Sequence, residues 1–171
     1  MENRTHRLVV IALYTALALI LSYLESLAPI PMPVPGAKVG LPNIVTLISL
    51  LTLGAPLTLL IVTARIFLSG FLFGSMSAIL YSLAGGLLSL GVMALLLKVP
   101  REKLSLITIS LLGAVSHNLG QLAVAAAVVQ NMNLFWSYLP FLMLLAIPTG
   151  IVVGVAANLL YRQLQKINLF K

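Results

Sequence analysis

The sequence predicts an all-α integral membrane protein, a bundle of six transmembrane helices that forms one domain of 171 residues. Composition is the first reason: 61% of the residues are hydrophobic, 8% are charged and the mean hydropathy is +1.14. Soluble domains carry about 25% charged residues, so this chain could not hide its apolar side chains in a soluble core. The other two reasons are a series of long apolar runs and the placement of the basic residues between them.

The apolar runs predict six spans, because crossing the hydrocarbon core takes about 20 residues. The first run follows only a short basic leader and many more come after it, so we expect a span rather than a removed signal peptide. The second and third runs are short, and Pro56 suits the first turn of the third helix. The predicted spans are 8–28, 40–54, 56–72, 75–97, 104–130 and 134–161.

Basic residues cluster before the first span, between the fourth and fifth, and after the sixth. With six spans all three clusters fall on one face, which the positive-inside rule predicts to be cytoplasmic, together with both termini. The clusters hold eight of the ten Lys and Arg residues: Arg4, Arg7, Lys98, Arg101, Lys103, Arg162, Lys166 and Lys171. Topology therefore explains the net charge of +7 without nucleic-acid binding. We expect a multi-pass protein of the bacterial cytoplasmic membrane, in contact with the lipid bilayer.

A proline-rich segment at 29–39, which we call the strap, joins the first two predicted spans. Every second residue of its first half is proline, from Pro29 to Pro35. Proline fixes φ and lacks an amide hydrogen, so the strap is predicted to be extended rather than helical. On this topology it lies on the outer face, where it is either a lid over a ligand or a rigid connector. Lys38 adds a positive charge at its end.

Two charged residues fall inside predicted spans. Arg65 lies within the third span and Glu25 near the outer end of the first. A charge inside the bilayer costs about 2.5–3.5 kcal/mol on insertion scales, so both side chains should face the bundle interior. Because Arg65 lies past the middle of its span, we expect the pair in the outer half. They form a buried ion pair, hold an anionic or carbonyl-bearing ligand, or do both.

The fifth span carries the densest polar cluster, "SHNLGQ". His117 and Gln121 are four residues apart and share a helix face, with Asn118 beside Gln121. Their donors and acceptors suit a neutral heterocycle, a quinone or a carbonyl group, or else hydrogen-bond neighbouring helices. A metal site is not expected, because the chain has no cysteine and no aspartate and its other histidine, His6, lies in the leader.

Small residues four apart mark places where helices can approach closely. Four such pairs lie inside the predicted spans: Ala12 with Ala16, Ser82 with Gly86, Ser116 with Gly120, and Gly150 with Gly154. These contacts are either within the monomer or with a partner protein.

Several motifs together resemble the Gx transporter family, whose members are often labelled heptaprenyl diphosphate synthase component I. They are "GAKVGLPNIVTL" at 36–47, "AR" ending at Arg65, "YSLAGGLLS" at 81–89 and "HNLGQ" at 117–121. The likeness spans about residues 8–160. This family is in turn similar to the substrate-binding S components of energy-coupling-factor (ECF) vitamin transporters, which have six helices and an outer lid between the first two.

The resemblance implies a solute-binding subunit without a cofactor. By that likeness Ala12 and Ala16 in "ALYTA" would dock on a transmembrane coupling subunit driven by two ATPase subunits. The ligand would lie toward the outer side, near Lys38, Asn43, Tyr81, His117, Asn118 and Gln121. From the charges and amides, we expect a small molecule that is partly anionic or carbonyl-bearing.

Although members of this family are labelled as a component of a synthase, we do not expect this chain to catalyse a reaction. Prenyl diphosphate synthases bind magnesium and diphosphate with clustered aspartates, and this chain has three glutamates and no aspartate. It also lacks a P-loop pattern, so ATP hydrolysis would come from another protein. We therefore expect a non-enzymatic importer subunit for a vitamin or a cofactor or quinone precursor. The alternatives are a non-catalytic membrane partner of isoprenoid synthesis and an intramembrane enzyme with His117 as base.

Overall fold

The computed structural model describes residues 4–27, 40–100 and 102–166, and within these the only regular secondary structure is α-helix. Six helices follow one another: α1 Arg4–Leu27, α2 Asn43–Leu53, α3 Ala55–Phe73, α4 Met76–Leu96, α5 Leu106–Val129 and α6 Met132–Lys166. The strap, with Lys38, lies outside the described residues. The predicted all-helical membrane bundle is confirmed, and the helix bounds agree with the predicted spans to within a few residues.

The second helix is the exception in length. Five helices are long and apolar enough to cross a membrane, whereas α2 has 11 residues. At 1.5 Å per residue it is about 16 Å long, roughly half of the hydrocarbon thickness. The predicted span 40–54 is shorter because a turn at 40–42 precedes the helix and Gly54, with φ of 79°, ends it.

Local sequence explains the helix ends. Ser75 and Ser105 cap α4 and α5, and their hydroxyl groups accept hydrogen bonds from the amides of Ala78 and Thr108. The third helix has proline in its first turn, where the missing amide hydrogen costs nothing. Gln130, in the left-handed region, ends α5.

The short helix α2 lies at the centre and contacts all five other helices. The other five helices contact one another in the order α1, α3, α4, α5 and α6, and α6 also contacts α2. Seven of the eleven residues of α2 are buried and none is exposed, whereas one face of α1 is exposed along its whole length. Many large apolar side chains of the long helices are exposed, as expected for contact with lipid.

Consecutive helices run in alternate directions, which places both described chain ends at the same end of the bundle. Glu25 and Tyr14 of α1 hydrogen-bond opposite ends of α2, so α1 and α2 are antiparallel. One apolar cluster joins Val10, Leu104 and Leu164, from the first turns of α1, the α4–α5 connection and the last turn of α6. The described members of the three basic clusters therefore share this end, which we call the basic end.

Glycines let α5 pack closely on both neighbours. A Cβ on Gly120 would lie 2.7 Å from the carbonyl oxygen of Ala84 in α4. Cβ atoms on Gly150 and Gly154 would lie 2.6 Å and 2.7 Å from α5 backbone atoms. Three of the small residues that the sequence singled out therefore serve contacts within the monomer.

Candidate functional site: a polar centre in the bundle

Polar side chains from four helices meet in the bundle interior. We call this group the polar centre: Glu25 of α1, Asn43 of α2, Arg65 of α3, and His117 and Gln121 of α5. All five side chains are buried, although the four helices that supply them are mainly apolar. Burying such groups is costly unless hydrogen bonds replace those lost from water, so the contacts of each side chain decide what the centre can do.

The chain enters α2 at the polar centre through Gly40. Its amide donates a hydrogen bond to Glu25 Oε1 at 2.5 Å, and the Leu41 amide lies 3.4 Å from the same oxygen. A Cβ on Gly40 would lie 2.9 Å from Asn43 Nδ2 and 3.4 Å from His117 Cδ2. Its φ of 98° is in a region that other residues seldom adopt. Glycine at this position thus allows the backbone to lie against the amide and the imidazole.

Arg65 is 2% exposed and has few protein partners. Its Nη1 donates to Ser22 Oγ of α1 at 3.4 Å, while Nε and Nη2 have no hydrogen-bond partner among the described residues. Glu25 and His117 lie within electrostatic range of its guanidinium, which places these three groups near one another. The side chain faces the bundle interior, as the sequence predicts.

His117 and Gln121 form the α5 side of the centre. Gln121 Nε2 donates a hydrogen bond to His117 Nε2, as their spacing of four residues on one helix face allows. Gly85 of α4 packs against both: a Cβ there would lie 2.8 Å from Gln121 Cγ and 3.1 Å from His117 Cε1. Glycine in "YSLAGGLLS" therefore lets the α4 backbone close one side of the polar centre.

Three predicted site residues lie elsewhere or are not described. Asn118 donates from Nδ2 to the carbonyl oxygen of Leu142 at 2.8 Å, a bond between α5 and α6. Tyr81 packs in an apolar cluster with Leu122 and Leu142. Lys38 lies outside the described residues. The structure thus gives Asn118 the interhelical contact that was one of its two predicted roles.

The polar centre lies level with the midpoints of α3, α4 and α5. Arg65 is one residue from the centre of α3, Gly86 is the central residue of α4 and His117 is central in α5. Glu25 is two residues from the end of α1, and Asn43 is the first residue of α2. The end of α1 and the start of α2 therefore lie level with the midpoints of α3, α4 and α5.

Sequence reasoning missed Ser22 and Gly85 at this site. Ser22 is three residues before Glu25, on the same helix face, and this spacing could have identified it. Gly85 was visible only as part of a motif. Among the described residues no group of three or more His, Asp or Glu side chains could hold a metal ion.

These features define a class: a helical membrane protein with a buried, charged and incompletely hydrogen-bonded centre at mid-depth. The model of the family described as heptaprenyl diphosphate synthase component I matches residues 14–160, and the chain belongs to this family. A search of curated proteins and a search of solved structures each found no match.

Proposed function

We propose that the protein is the solute-binding membrane subunit of an ATP-driven importer for a vitamin or a cofactor or quinone precursor. The observation that carries this proposal is that several buried polar atoms of the polar centre have no hydrogen-bond partner among the described residues, including Arg65 Nε and Nη2, Asn43 Oδ1 and His117 Nδ1. Unpaired buried polar atoms cost about 1–3 kcal/mol each, and a bound solute with matching groups would remove that cost. Transporter sites commonly lie near mid-membrane, where a helix begins or ends.

The outward face of α1 supports a role for a partner subunit. Ala12 and Ala16 are exposed, so this small-residue pair packs against no described part of the chain. By contrast, Gly120, Gly150 and Gly154 contact neighbouring helices. Small residues on a free helix face allow another membrane helix to approach closely. We propose that this face docks on a transmembrane coupling subunit, which is in turn driven by two ATPase subunits.

In the proposed cycle the solute enters between the end of α1 and the start of α2 and occupies the polar centre. It hydrogen-bonds Arg65 and Asn43, and the strap acts as the lid that the resemblance to S components implies. The loaded subunit then tilts against the coupling subunit and presents the solute to the cytoplasm. The chain itself carries out no chemical reaction in this proposal.

Affinity purification and thermal unfolding together test the proposal. The tagged protein is purified from native membranes, and copurifying proteins are identified by mass spectrometry. Unfolding is then followed with a panel of vitamins and quinone precursors. We expect a membrane subunit and two ATPases in the first experiment and stabilisation by one compound in the second. Failure of both would contradict the proposal.

A second candidate function rests on the family's description as heptaprenyl diphosphate synthase component I. The protein would be a non-catalytic membrane partner of an isoprenoid-processing enzyme and would bind a polyprenyl chain along its apolar helices. Deletion of the gene separates the two candidates. A partner of synthesis predicts loss of the menaquinone side chain even when external precursors are supplied, whereas an importer predicts a defect only in uptake.

A further inference from the structure

One exposed face of α6 changes from apolar to basic near the end of the helix. Large apolar side chains follow one another along this face at spacings of three or four residues, and two exposed basic residues continue the series. Because residues three or four apart lie on the same side of a helix, the series forms one continuous stripe. We call it the α6 stripe: Leu144, Ile147, Ile151, Val155, Leu159, Arg162 and Lys166.

The two cations of the α6 stripe have no acid on their own helix. Arg162 and Lys166 are four residues apart, so their like charges repel each other on one face. The helix contains no aspartate or glutamate. The two acids that the structure describes, Glu25 and Glu102, belong to α1 and to the connection between α4 and α5. A negatively charged group between the two cations would remove their repulsion.

A cavity at the same place has room for such a group. Arg162 and Lys166 line a cavity of about 560 Å³ together with Leu159, Gln163 and Gln165. This volume is within the range of about 300–1,000 Å³ that is usual for small-molecule sites. The guanidinium, the ammonium and the two amides all offer hydrogen-bond donors, and a guanidinium can bind two oxygen atoms of one phosphate. The lining therefore suits a phosphate group with an apolar part beside Leu159.

The length of α6 places this cavity at the membrane surface. The helix has 35 residues and is about 52 Å long at 1.5 Å per residue, whereas the hydrocarbon core is about 30 Å thick. One or both ends of α6 therefore extend beyond the hydrocarbon. Arg162 and Lys166 are in its last two turns, where long basic side chains reach the level of the lipid headgroups.

From this arrangement we infer that the end of α6 binds the headgroup of an anionic phospholipid. The phosphate lies between Arg162 and Lys166, and the acyl chains run along the apolar part of the α6 stripe. The stripe favours a lipid over a free phosphate ion, which would make no apolar contact. This site is separate from the polar centre, so the inference does not depend on the importer proposal.

Native mass spectrometry of the full-length protein, purified in detergent and stripped of lipid, tests the inference. Phosphatidylglycerol and phosphatidylcholine with the same acyl chains are added, because their headgroups differ in net charge. We expect phosphatidylglycerol to bind about tenfold or more tightly, since each basic residue at a membrane surface strengthens binding of anionic lipid about fivefold. An excess of inorganic phosphate should not displace it.

A double variant tests whether the two cations of α6 are the cause. Arg162→Gln with Lys166→Gln should remove the preference for phosphatidylglycerol. The matched control is Lys98→Gln with Lys103→Gln, which removes two exposed charges from the connection between α4 and α5 and should keep the preference. All four side chains are exposed, so thermal unfolding of both variants should match the wild type. If a variant does not fold, the comparison of lipids on the wild type decides by itself.

Each of the other results contradicts the inference. Equal binding of the two lipids would show that the headgroup charge is not recognised, and equal loss in both double variants would show a general effect of surface charge. Displacement by inorganic phosphate would indicate a site for free anions. Loss of a copurifying protein from the α6 variant, without loss of phosphatidylglycerol, would assign the two cations to a protein partner.

Discussion

At the residue scale, the arginine in α3 contributes a shape as well as a charge. Arg65→Lys keeps the positive charge but removes the Nε–Nη2 edge. Each charge-assisted hydrogen bond contributes about 1.5–3 kcal/mol, so we expect solute affinity to fall by a factor of about ten to a hundred. Arg7→Lys, at an exposed position, is the matched control. Ligand-dependent thermal stabilisation measures the effect, and unchanged affinity in Arg65→Lys would contradict a binding role for this edge.

Gly40 provides a second prediction at this scale, for stability. Gly40→Ala combines a φ of 98° with a Cβ contact of 2.9 Å to Asn43 Nδ2, so we expect a loss of about 1–3 kcal/mol in unfolding free energy. Gly54→Ala has the positive φ without any neighbour within 4 Å, and isolates backbone strain. Gly91→Ala has neither feature and should be neutral or slightly stabilising. Equal stability of the Gly40 and Gly91 variants would contradict the close approach at Gly40.

Several residues of the polar centre could be predicted from the sequence, because a polar side chain in an apolar helix must find a polar environment. That reasoning identified Glu25, Arg65, His117 and Gln121 correctly as buried. It left the roles of Asn118 open, because an amide on α5 can point to the centre or to α6, and only packing decides between them. Ser22 and Gly85 carry no charge and little polarity, so their importance follows from the close contacts between helices.

At the scale of single helices, α1 presents one face to the bundle and another to its surroundings. If Ala12 and Ala16 dock on a coupling subunit, Ala12→Leu with Ala16→Leu should abolish copurification and leave monomer unfolding unchanged, because both residues are exposed. The matched control is Ala123→Leu with Ala127→Leu, an exposed pair with the same spacing on α5. Equal loss of copurification in both variants, or none in the first, would contradict docking through α1.

The sequence predicted that α2 is a helix but did not predict how short it is. Apolar runs and their boundaries predicted six helices and most of their bounds. They did not predict that α2 is a half-length helix enclosed by the other five, because a central helix and a lipid-facing helix have equally apolar sequences. Gly40 and Gly54, which bound the segment, were the available signals. The position of the polar centre at mid-depth follows from the same short helix.

At the scale of the whole molecule, consecutive helices alternate in direction. The two chain ends should therefore lie on the same side of the membrane whether or not α2 crosses the bilayer. Glu25 binds the start of α2 and Tyr14 binds its end, so the chain turns back along α1 whatever path the strap takes. Four further helices of alternating direction then return the chain to the basic end. We therefore expect Arg4 and Lys166 on one side of the membrane, and the positive-inside rule predicts that this side is the cytoplasm.

The absence of native cysteine makes this topology directly testable. Single variants Thr5→Cys, Lys103→Cys and Gln165→Cys sit at the basic end. Ser77→Cys, in the first turn of α4, and Asn131→Cys, in the connection between α5 and α6, lie at the other end. In intact cells a membrane-impermeant maleimide should label the last two and spare the first three, which should react after permeabilisation. Labelling of Thr5→Cys and Gln165→Cys from opposite sides would contradict the alternating bundle. Labelling of both from outside would keep the bundle but reverse its orientation, and the importer proposal would then fail.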